Sequence, residues 1–327
     1  MRVMLTGSTG FVGSEVLREL QRRGHQVIAF VRQPKKLDDK GLQPERVVCG
    51  DLADTDGIER ALADAEAVIH VAGCIAERYR GEFEDTNVHG TRNLCMSARR
   101  SGAELPLVHI SSVAAVGPSV AGAVLDEHTP CNPISRYGRS KMASESVIGD
   151  GHRPAPAVVV RPPIVFGPGD PATLPIFQMA RWGIAPLVGS ADKPVSLCYN
   201  PDLARGIVDS LEFAKTHHGA ETFCFTTTEQ PRVRDLLRAV GECFGKRVRV
   251  LPIPAAVARF AALSAEQYAR WSGTLSIFNT DKLTELQAPG WRFSGARARH
   301  VLGWQPRTSL PQALSQTAEW YRERGWL

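Results

Sequence analysis

Thr6-Gly7-Ser8-Thr9-Gly10-Phe11-Val12-Gly13 connects a β-branched run, Arg2–Thr6, to a helical pattern that places Val12, Val16, Leu17 and Leu20 on one face. The helix is predicted to open at Gly10 or Phe11 and to stop at Gly24, a residue suited to a left-handed cap. After a strand and before a helix, glycines at 7, 10 and 13 have the spacing that a dinucleotide requires. Gly7 makes the tight turn, Gly10 lets backbone amides approach a pyrophosphate, and Gly13 lets the helix pack closely on the sheet. The run Gly7, Ser8, Thr9, Gly10, Phe11, Val12 and Gly13 is therefore the expected phosphate-binding loop, facing the positive helix end. An ordinary glycine-rich turn is the competing reading, and its place at the first strand–helix junction argues against it.

Outward from this turn, short apolar runs alternate with longer helical patterns. Gln26–Val31, Arg46–Cys49, residues 67–71, Leu107–Ile110 and Ala157–Val160 read as further strands. They are apolar on both faces, as in a parallel sheet covered by helices, and the segments between them are long enough for right-handed crossovers. The expected fold class is α/β, a doubly wound parallel sheet (Rossmann fold) with a smaller, discontinuous C-terminal substrate lobe. The dinucleotide-binding domain is assigned to residues 1–166, with 200–228 returning to it as a helix (201–214) and a strand (221–225). Beyond Gly167 the pattern is interrupted by Pro168, Pro171, Pro175, Pro186 and Pro194. Residues 167–199 and 229–327, with helices near 233–244, 254–270 and 309–324, are assigned to the substrate lobe.

At the end of the second strand, Val31 is followed by Arg32, with Lys35 and Lys36 close by. An NAD-binding protein usually carries an acid there for the adenosine ribose hydroxyls, whereas a guanidinium favours a 2′-phosphate. NADP(H) is thus the favoured cofactor and NAD(H) the alternative; a solvated basic loop, or an arginine stacked on adenine, competes with this reading. Asp51-Leu52, after the third strand, puts a carboxylate where it could accept from the adenine amino group.

Tyr137 and Lys141 are four apart at the start of a helical run, so they project from one face. A phenol that exchanges protons near neutral pH needs a positive charge to favour its phenolate, which Lys141 and an oxidised nicotinamide would supply. Alone, this spacing usually describes a solvated face. Ser111-Ser112, at the end of an earlier strand, supplies the context. Ser112 could donate to a substrate carbonyl or hydroxyl while Tyr137 moves the proton and a hydride passes to or from the nicotinamide. Ser111 could be the reactive serine instead, and Ser112 could merely satisfy backbone groups.

In chain order, the glycine turn, Asp51-Leu52, His70-Val71-Ala72-Gly73, Asn87-Val88-His89-Gly90-Thr91, Ser111-Ser112, the Tyr137/Lys141 pair and Arg161-Pro162-Pro163-Ile164-Val165-Phe166-Gly167-Pro168 resemble the extended short-chain dehydrogenase/reductases across essentially the whole chain. The resemblance implies that Ala72 and Gly73 line the cofactor and that Lys141 also holds the nicotinamide ribose. It further implies that Pro163, Ile164 and Val165 pass near the carboxamide, that Asn87 is the family's asparagine, and that a homodimer forms through the helices containing Thr91 and Tyr137. Three departures point to a branch. Ile164 stands where sugar-nucleotide enzymes usually carry an asparagine; Val113 and Ala114 follow Ser112 where dehydratases place Asp-Glu; and Val116 replaces a usual aromatic, making the pocket roof more aliphatic. Together they favour a hydrophobic secondary alcohol or ketone, as in branches resembling 3β-hydroxysteroid dehydrogenases and dihydroflavonol reductases, with decarboxylation of a neighbouring carboxylate as a variant. A sugar-nucleotide epimerase with tightly held NAD, and a dinucleotide-binding sensor or scaffold, remain as alternatives.

Composition narrows the partners. Lys plus Arg number 39 against 34 Asp plus Glu, and they are scattered, so no nucleic-acid stripe is expected. Seven cysteines without a C-x-x-C pair read as reduced thiols in cytoplasm. The apolar stretch 253–265 carries Pro254 and Arg259 and falls short of the about 20 residues that span a bilayer; peripheral membrane contact stays open. The histidines are dispersed, with His217-His218 expected at the surface, so no metal is expected. Asp126, Glu127 and His128 either border the substrate or lie in a solvated loop.

Overall fold

The computed structural model describes residues 1–102, 104–120, 122–149, 156–274, 276 and 278–327. Its first half runs through Arg2–Thr6 (β1), Phe11–Arg22 (α1), Gln26–Val31 (β2), Lys35–Asp38 (α2), Arg46–Cys49 (β3), Thr55–Leu62 (α3), Ala67–His70 (β4), Gly90–Arg100 (α4), Leu107–Ile110 (β5), Arg136–Gly149 (α5) and Ala157–Val160 (β6). Ile164–Phe166 (β7), Leu174–Ala180 (α6), Ile184–Leu187 (β8), Leu197–Tyr199 (β9), Asn200–Thr216 (α7) and Ala220–Phe223 (β10) follow. The chain then continues through Val233–Glu242 (α8), Arg249–Pro252 (β11), Ala255–Ser272 (α9), Thr280–Gln287 (α10), Ala296–Leu302 (α11) and Leu310–Glu323 (α12).

Seven strands form a parallel sheet in the order β10-β6-β5-β4-β1-β2-β3. The order reverses between β1 and β4, and the crevice outside their carboxyl ends is where this topology leaves room for a ligand. Alternation explains why the strands are apolar throughout. Val3 and Leu5 of β1 pack with Leu17 and Leu20 of α1 and Ile207 and Leu211 of α7. Met4 faces the other layer, with Ile58 of α3, Leu94 of α4 and Val147 of α5. Each such large side chain stabilises the fold by about 1.5–3 kcal/mol when fully buried.

Four short strands were not anticipated from sequence: β7 pairs with β9 and β8 with β11. Pro186 lies in β8 and Pro252 in β11, a composition that hides strands, yet a two-stranded ribbon has free edges on which proline is tolerated. β7 and β9 join α6, α8 and α12 in a separate core around Phe166, Phe177, Leu314 and Tyr321.

His70 and His109 face each other in the β4/β5 register, buried and stacked with ring centroids 5.3 Å apart. The Thr91 hydroxyl donates to Asn87 O at 2.6 Å, so it accepts from His70 Nε2 at 3.0 Å. His70 Nδ1 then accepts from Thr6 Oγ1 at 2.8 Å. By the same logic His109 Nε2 donates to Ser144 Oγ at 2.9 Å, whose proton goes to Lys141 O. Burial, helped by the Lys141 charge, holds His70 near 3 and His109 well below its ordinary value. Below about pH 6.5 the unfolded chain therefore binds protons that the native state refuses, so stability present above that pH declines as pH falls. Each histidine is expected to contribute about 1.4 kcal/mol per pH unit across that range. Urea unfolding at pH 7 and pH 5 checks this. His109→Gln, which keeps a donor for Ser144 but removes the base, should show a shallower pH dependence than wild type, and an equal one would sink the assignment.

Candidate active site

Gly7 has φ +73°, and a Cβ added there would lie 2.6 Å from Ala72 N; at Gly13 it would lie 2.1 Å from Gly7 O. Only bare backbone lets the turn after β1 meet the end of β4 and lets α1 pack on that turn. Gly10 N donates to Gly7 O at 2.9 Å. Gly10 caps α1 in an extended conformation, no side chain bonds the cap, and the first turn carries no acid. Its N–H groups are thus left for an anion, and the cradle fits a dinucleotide pyrophosphate. Two buried polar atoms beside it, Ser8 Oγ and Asn200 Oδ1, lack hydrogen-bond partners among the described residues. Asn200 Nδ2 meanwhile donates to Phe11 O at 3.0 Å, and Lys40 Nζ donates to Gly10 O at 3.4 Å. Sequence reading singled out neither Asn200 nor Lys40.

Just after β2, where the adenosine end is expected, Arg32 is exposed and makes no ion pair within 4 Å among the described residues, its charge acting on Glu82 from farther off. Asp51 Oδ1 accepts from Ala53 N at 2.8 Å and from Asp54 N at 3.2 Å, a turn that leaves its second oxygen uncommitted. Leu52 packs on the first residue of α4, and its carbonyl accepts from Asn93 Nδ2 at 2.8 Å.

Ala72 N donates to Thr6 Oγ1 at 3.1 Å. A Cβ on Gly73 would sit 3.0 Å from Lys141 Nζ and 3.1 Å from Asn87 Oδ1, so these groups converge where a nicotinamide ribose is expected. Asn87 lies in a widened π-type turn, Glu84–His89, leading into α4, a distortion frequent at functional sites. Its Oδ1 accepts from Cys74 N at 2.7 Å, and its Nδ2 donates to Cys74 O at 3.0 Å and to Ser140 Oγ at 2.9 Å. Asn87 thereby ties the loop after β4 to the helix that carries Tyr137.

The two serines after β5 separate in role. Ser111 Oγ donates to Glu145, whose carboxylate also holds Arg161 at 2.7 and 3.0 Å. Ser112 Oγ accepts from Ala114 N at 3.1 Å, and its hydroxyl lies near enough to the Tyr137 phenol to favour the phenolate. Lys141, only 4% exposed, donates from Nζ to Ile110 O at 2.9 Å. Desolvation lowers its pKa to about 8, opposed by the Glu145 carboxylate. Burial pushes the Tyr137 phenol above its usual range, the Ser112 hydroxyl opposing and Glu285 assisting. Phe83 packs on Tyr137 with ring centroids 5.8 Å apart.

The start of α5 is held from the other lobe. Asp281 of α10 accepts from Arg136 N at 2.7 Å and Tyr137 N at 3.1 Å. One turn on, Glu285 accepts from Ser135 Oγ at 2.7 Å, and Ser135 Oγ accepts from Gly138 N at 2.9 Å. These acids were missed because α10 was not predicted. Its one local signal is Asn279, whose Oδ1 accepts from Lys282 N at 2.7 Å and caps the helix.

Pro163 is buried, Val165 half-buried and Ile164 exposed in β7, and Val113 N donates to Pro162 O at 3.0 Å, joining that segment to Ser112. Val116, expected in the pocket roof, is instead 2% exposed in a cluster with Val113, Trp291 and Phe293. Beyond Phe83 a cleft is lined by charged pairs, with Glu77 bonded to Arg136 at 2.7 Å and Arg78 to Glu82, and by Glu266 and Ala269 of α9. Its mouth is polar rather than aliphatic. Asp126, Glu127 and His128 line a different hollow with Arg297 and His300, and Glu127 Oε1 is engaged by Cys224 N at 2.8 Å. Among the described residues no group of His, Cys, Asp and Glu could hold a metal ion.

Residues 3–223 match the NAD dependent epimerase/dehydratase family. The chain is 31% identical over 339 residues to sterol demethylase protein B of Methylococcus capsulatus, with 100% of each chain covered. It is 30% identical over 339 residues to ceramide reductase of Caulobacter vibrioides, covering 99% of this chain and 96% of that one. Among solved structures, MoeE5 in complex with UDP-glucose and NAD has a TM-score of 0.77 at 21% identity, with 99% of each chain covered, a likeness of fold. The chain belongs to the NAD dependent epimerase/dehydratase family and is an enzyme of the extended short-chain dehydrogenase/reductase type.

Proposed function

We propose that the enzyme interconverts a secondary alcohol and a ketone on a hydrophobic substrate, using NADP(H). The observation that carries this reading is the placing of Tyr137 near Ser112, one helical turn before Lys141, whose Nζ lies beside Gly73, with Val113 and Ala114 rather than acids after Ser112. When bound, the nicotinamide supplies or accepts the hydride. Ser112 donates to the substrate oxygen, and Tyr137 delivers a proton to that oxygen in reduction or removes one in oxidation. Near pH 7 the Tyr137 phenol is protonated, the form that donates in ketone reduction; burial strengthens its hold on that proton, so the donation needs a positive charge nearby. Lys141, cationic below about pH 8, stabilises the phenolate that reduction leaves.

The printed names of two relatives, ceramide reductase and sterol demethylase protein B, support a lipophilic substrate. If the hydroxyl stands beside a carboxylate, the ketone formed on oxidation can lose carbon dioxide without an additional protein base. The exposed Arg32 supports a 2′-phosphate on the cofactor. We place the enzyme in the cytoplasm as a homodimer joined through α4 and α5, the first on its seven free cysteines. A second reading, a sugar-nucleotide epimerase with retained NAD, draws on the arginines of the cleft. Arg78 and Arg136 are, however, already paired with Glu82 and Glu77. Cofactor retained through purification would favour the epimerase.

Tyr137→Phe is expected to lower kcat by about 10²- to 10⁴-fold while dinucleotide binding persists; unchanged turnover of a lipophilic ketone would remove Tyr137 from the mechanism. Titration with both cofactors should show Arg32→Ala weakening NADP(H) by roughly 10- to 100-fold and leaving NAD(H) unaffected. Equal preference in both proteins would discard the 2′-phosphate assignment. Asp281→Ala should lower stability by about 1 kcal/mol and kcat by roughly tenfold or more through misplacement of Tyr137, with cofactor affinity unchanged. Asp281→Asn, which keeps an acceptor, should restore part of kcat; a loss of stability with kcat intact would make Asp281 a cap only.

A further inference from the structure

α1 and α7 lie side by side and open at the same end. Leu17 and Leu20 of α1 pack with Ile207 and Leu211 of α7, and Arg23, just past the far end of α1, pairs with Asp209 of α7 at 2.7 Å. At the opening, Asn200, the first residue of α7, donates from Nδ2 at 3.0 Å to the carbonyl of Phe11, the first residue of α1. Asn200 therefore stands beside the phosphate cradle, and it is only 2% exposed. Phe11 O can only accept, so the amide nitrogen faces it. Oδ1 is left over, buried and without a donor among the described residues.

The same side chain touches a second part of the site. A Cβ on Gly167, just past β7, would lie 3.3 Å from Asn200 Cβ, and Phe166 of β7 pairs with Tyr199, the residue before Asn200. The other end of that segment is tied to the residue after Ser112, because Val113 N donates to Pro162 O at 3.0 Å. A dinucleotide with its pyrophosphate at Gly10 and its reactive ring near Tyr137 spans this junction.

A buried acceptor calls for a donor. The pyrophosphate offers acceptor oxygens only, and the nicotinamide ribose is expected at Gly73, beside Lys141 Nζ and Asn87. On that half of the cofactor the carboxamide N–H₂ is the donor that remains. We propose that Asn200 is a cofactor-binding residue whose Oδ1 accepts a hydrogen bond from the nicotinamide carboxamide while its Nδ2 stays on Phe11 O. One side chain then ties the ring to the opening of α1 and limits the ring's rotation. The inference rests on dinucleotide binding, and neither on the proposed substrate nor on the 2′-phosphate.

Calorimetric titration of the full chain without substrate tests it. The probes are NADP⁺ and NAD⁺, each beside its 3-acetylpyridine analogue, in which a methyl group replaces the amide nitrogen, so that the carbonyl stays and the donor is lost. Wild type should bind the parent dinucleotide roughly tenfold more tightly than the analogue. Asn200→Leu and Asn200→Ala should each bind the two about equally, with circular dichroism unchanged. Both variants should hold ADP-ribose, which has the pyrophosphate but no nicotinamide, within about threefold of wild type. A preference for the parent that survives both substitutions would overturn the proposal, as would a wild type that binds parent and analogue alike. So would an equal loss of affinity for ADP-ribose and for the parent dinucleotide, since Asn200 would then only seat α1. A wild type that binds neither dinucleotide would remove the cofactor reading itself and this inference with it.

Discussion

A side chain on Gly7 would place its Cβ 2.6 Å from Ala72 N, so the turn after β1 and the end of β4 can meet only as bare backbone. From that contact a continuous set of buried hydrogen bonds runs across the crevice. Ala72 N donates to Thr6 Oγ1, Thr6 donates to His70, His70 to Thr91, and Thr91 to Asn87 O. The Asn87 amide then holds Cys74 and Ser140, one residue before Lys141. Leaving one such buried group unpaired costs about 1–3 kcal/mol. The glycine turn and α5 are thereby fixed relative to one another through the sheet, as the proposed catalysis by positioning requires.

The charges of the site obey the same economy of burial. Lys141 is desolvated and loses affinity for its proton, while Glu145 on the same helix works against that loss. Glu145 is itself held by Ser111 and by two nitrogens of Arg161, bringing α5, β5 and the end of β6 to one carboxylate. A buried ion pair of this kind is weak support for stability taken alone, but removing one partner strands the other charge. Its clearer consequence is one of assignment. Ser111 is spent on Glu145, so Ser112 is the serine left facing Tyr137.

Legibility followed locality. The sheet could be read because its strands are apolar on both faces, and the cofactor turn because its function lies in the spacing of adjacent residues. Strand β8 and strand β11 were hidden by Pro186 and Pro252, since edge pairing depends on a partner about 60 residues distant that no local pattern announces. Lys40 and Asn200 reach Gly10 and Phe11 only through tertiary folding. Val116 was misplaced for the opposite reason: its aliphatic character fits a pocket roof and a core equally, and Trp291 and Phe293, far along the chain, decide for the core.

Asp281 ties the C-terminal helices to the start of α5. The N-terminus of α5 has no acid of its own in its first turn, and the acceptor for Arg136 N and Tyr137 N comes from α10 of the other lobe. α10 in turn packs against α9, whose Glu266 caps it and lines the cleft. The contacts that join α9 to Tyr137 thus run through α10 and do not pass through the sheet. The seat of Tyr137 thus depends on α10, while the glycine turn depends on the end of β4 and on α1. In such an arrangement the residues lining the cleft on α9 can vary without disturbing Tyr137 only so long as α10 keeps its seat on the start of α5.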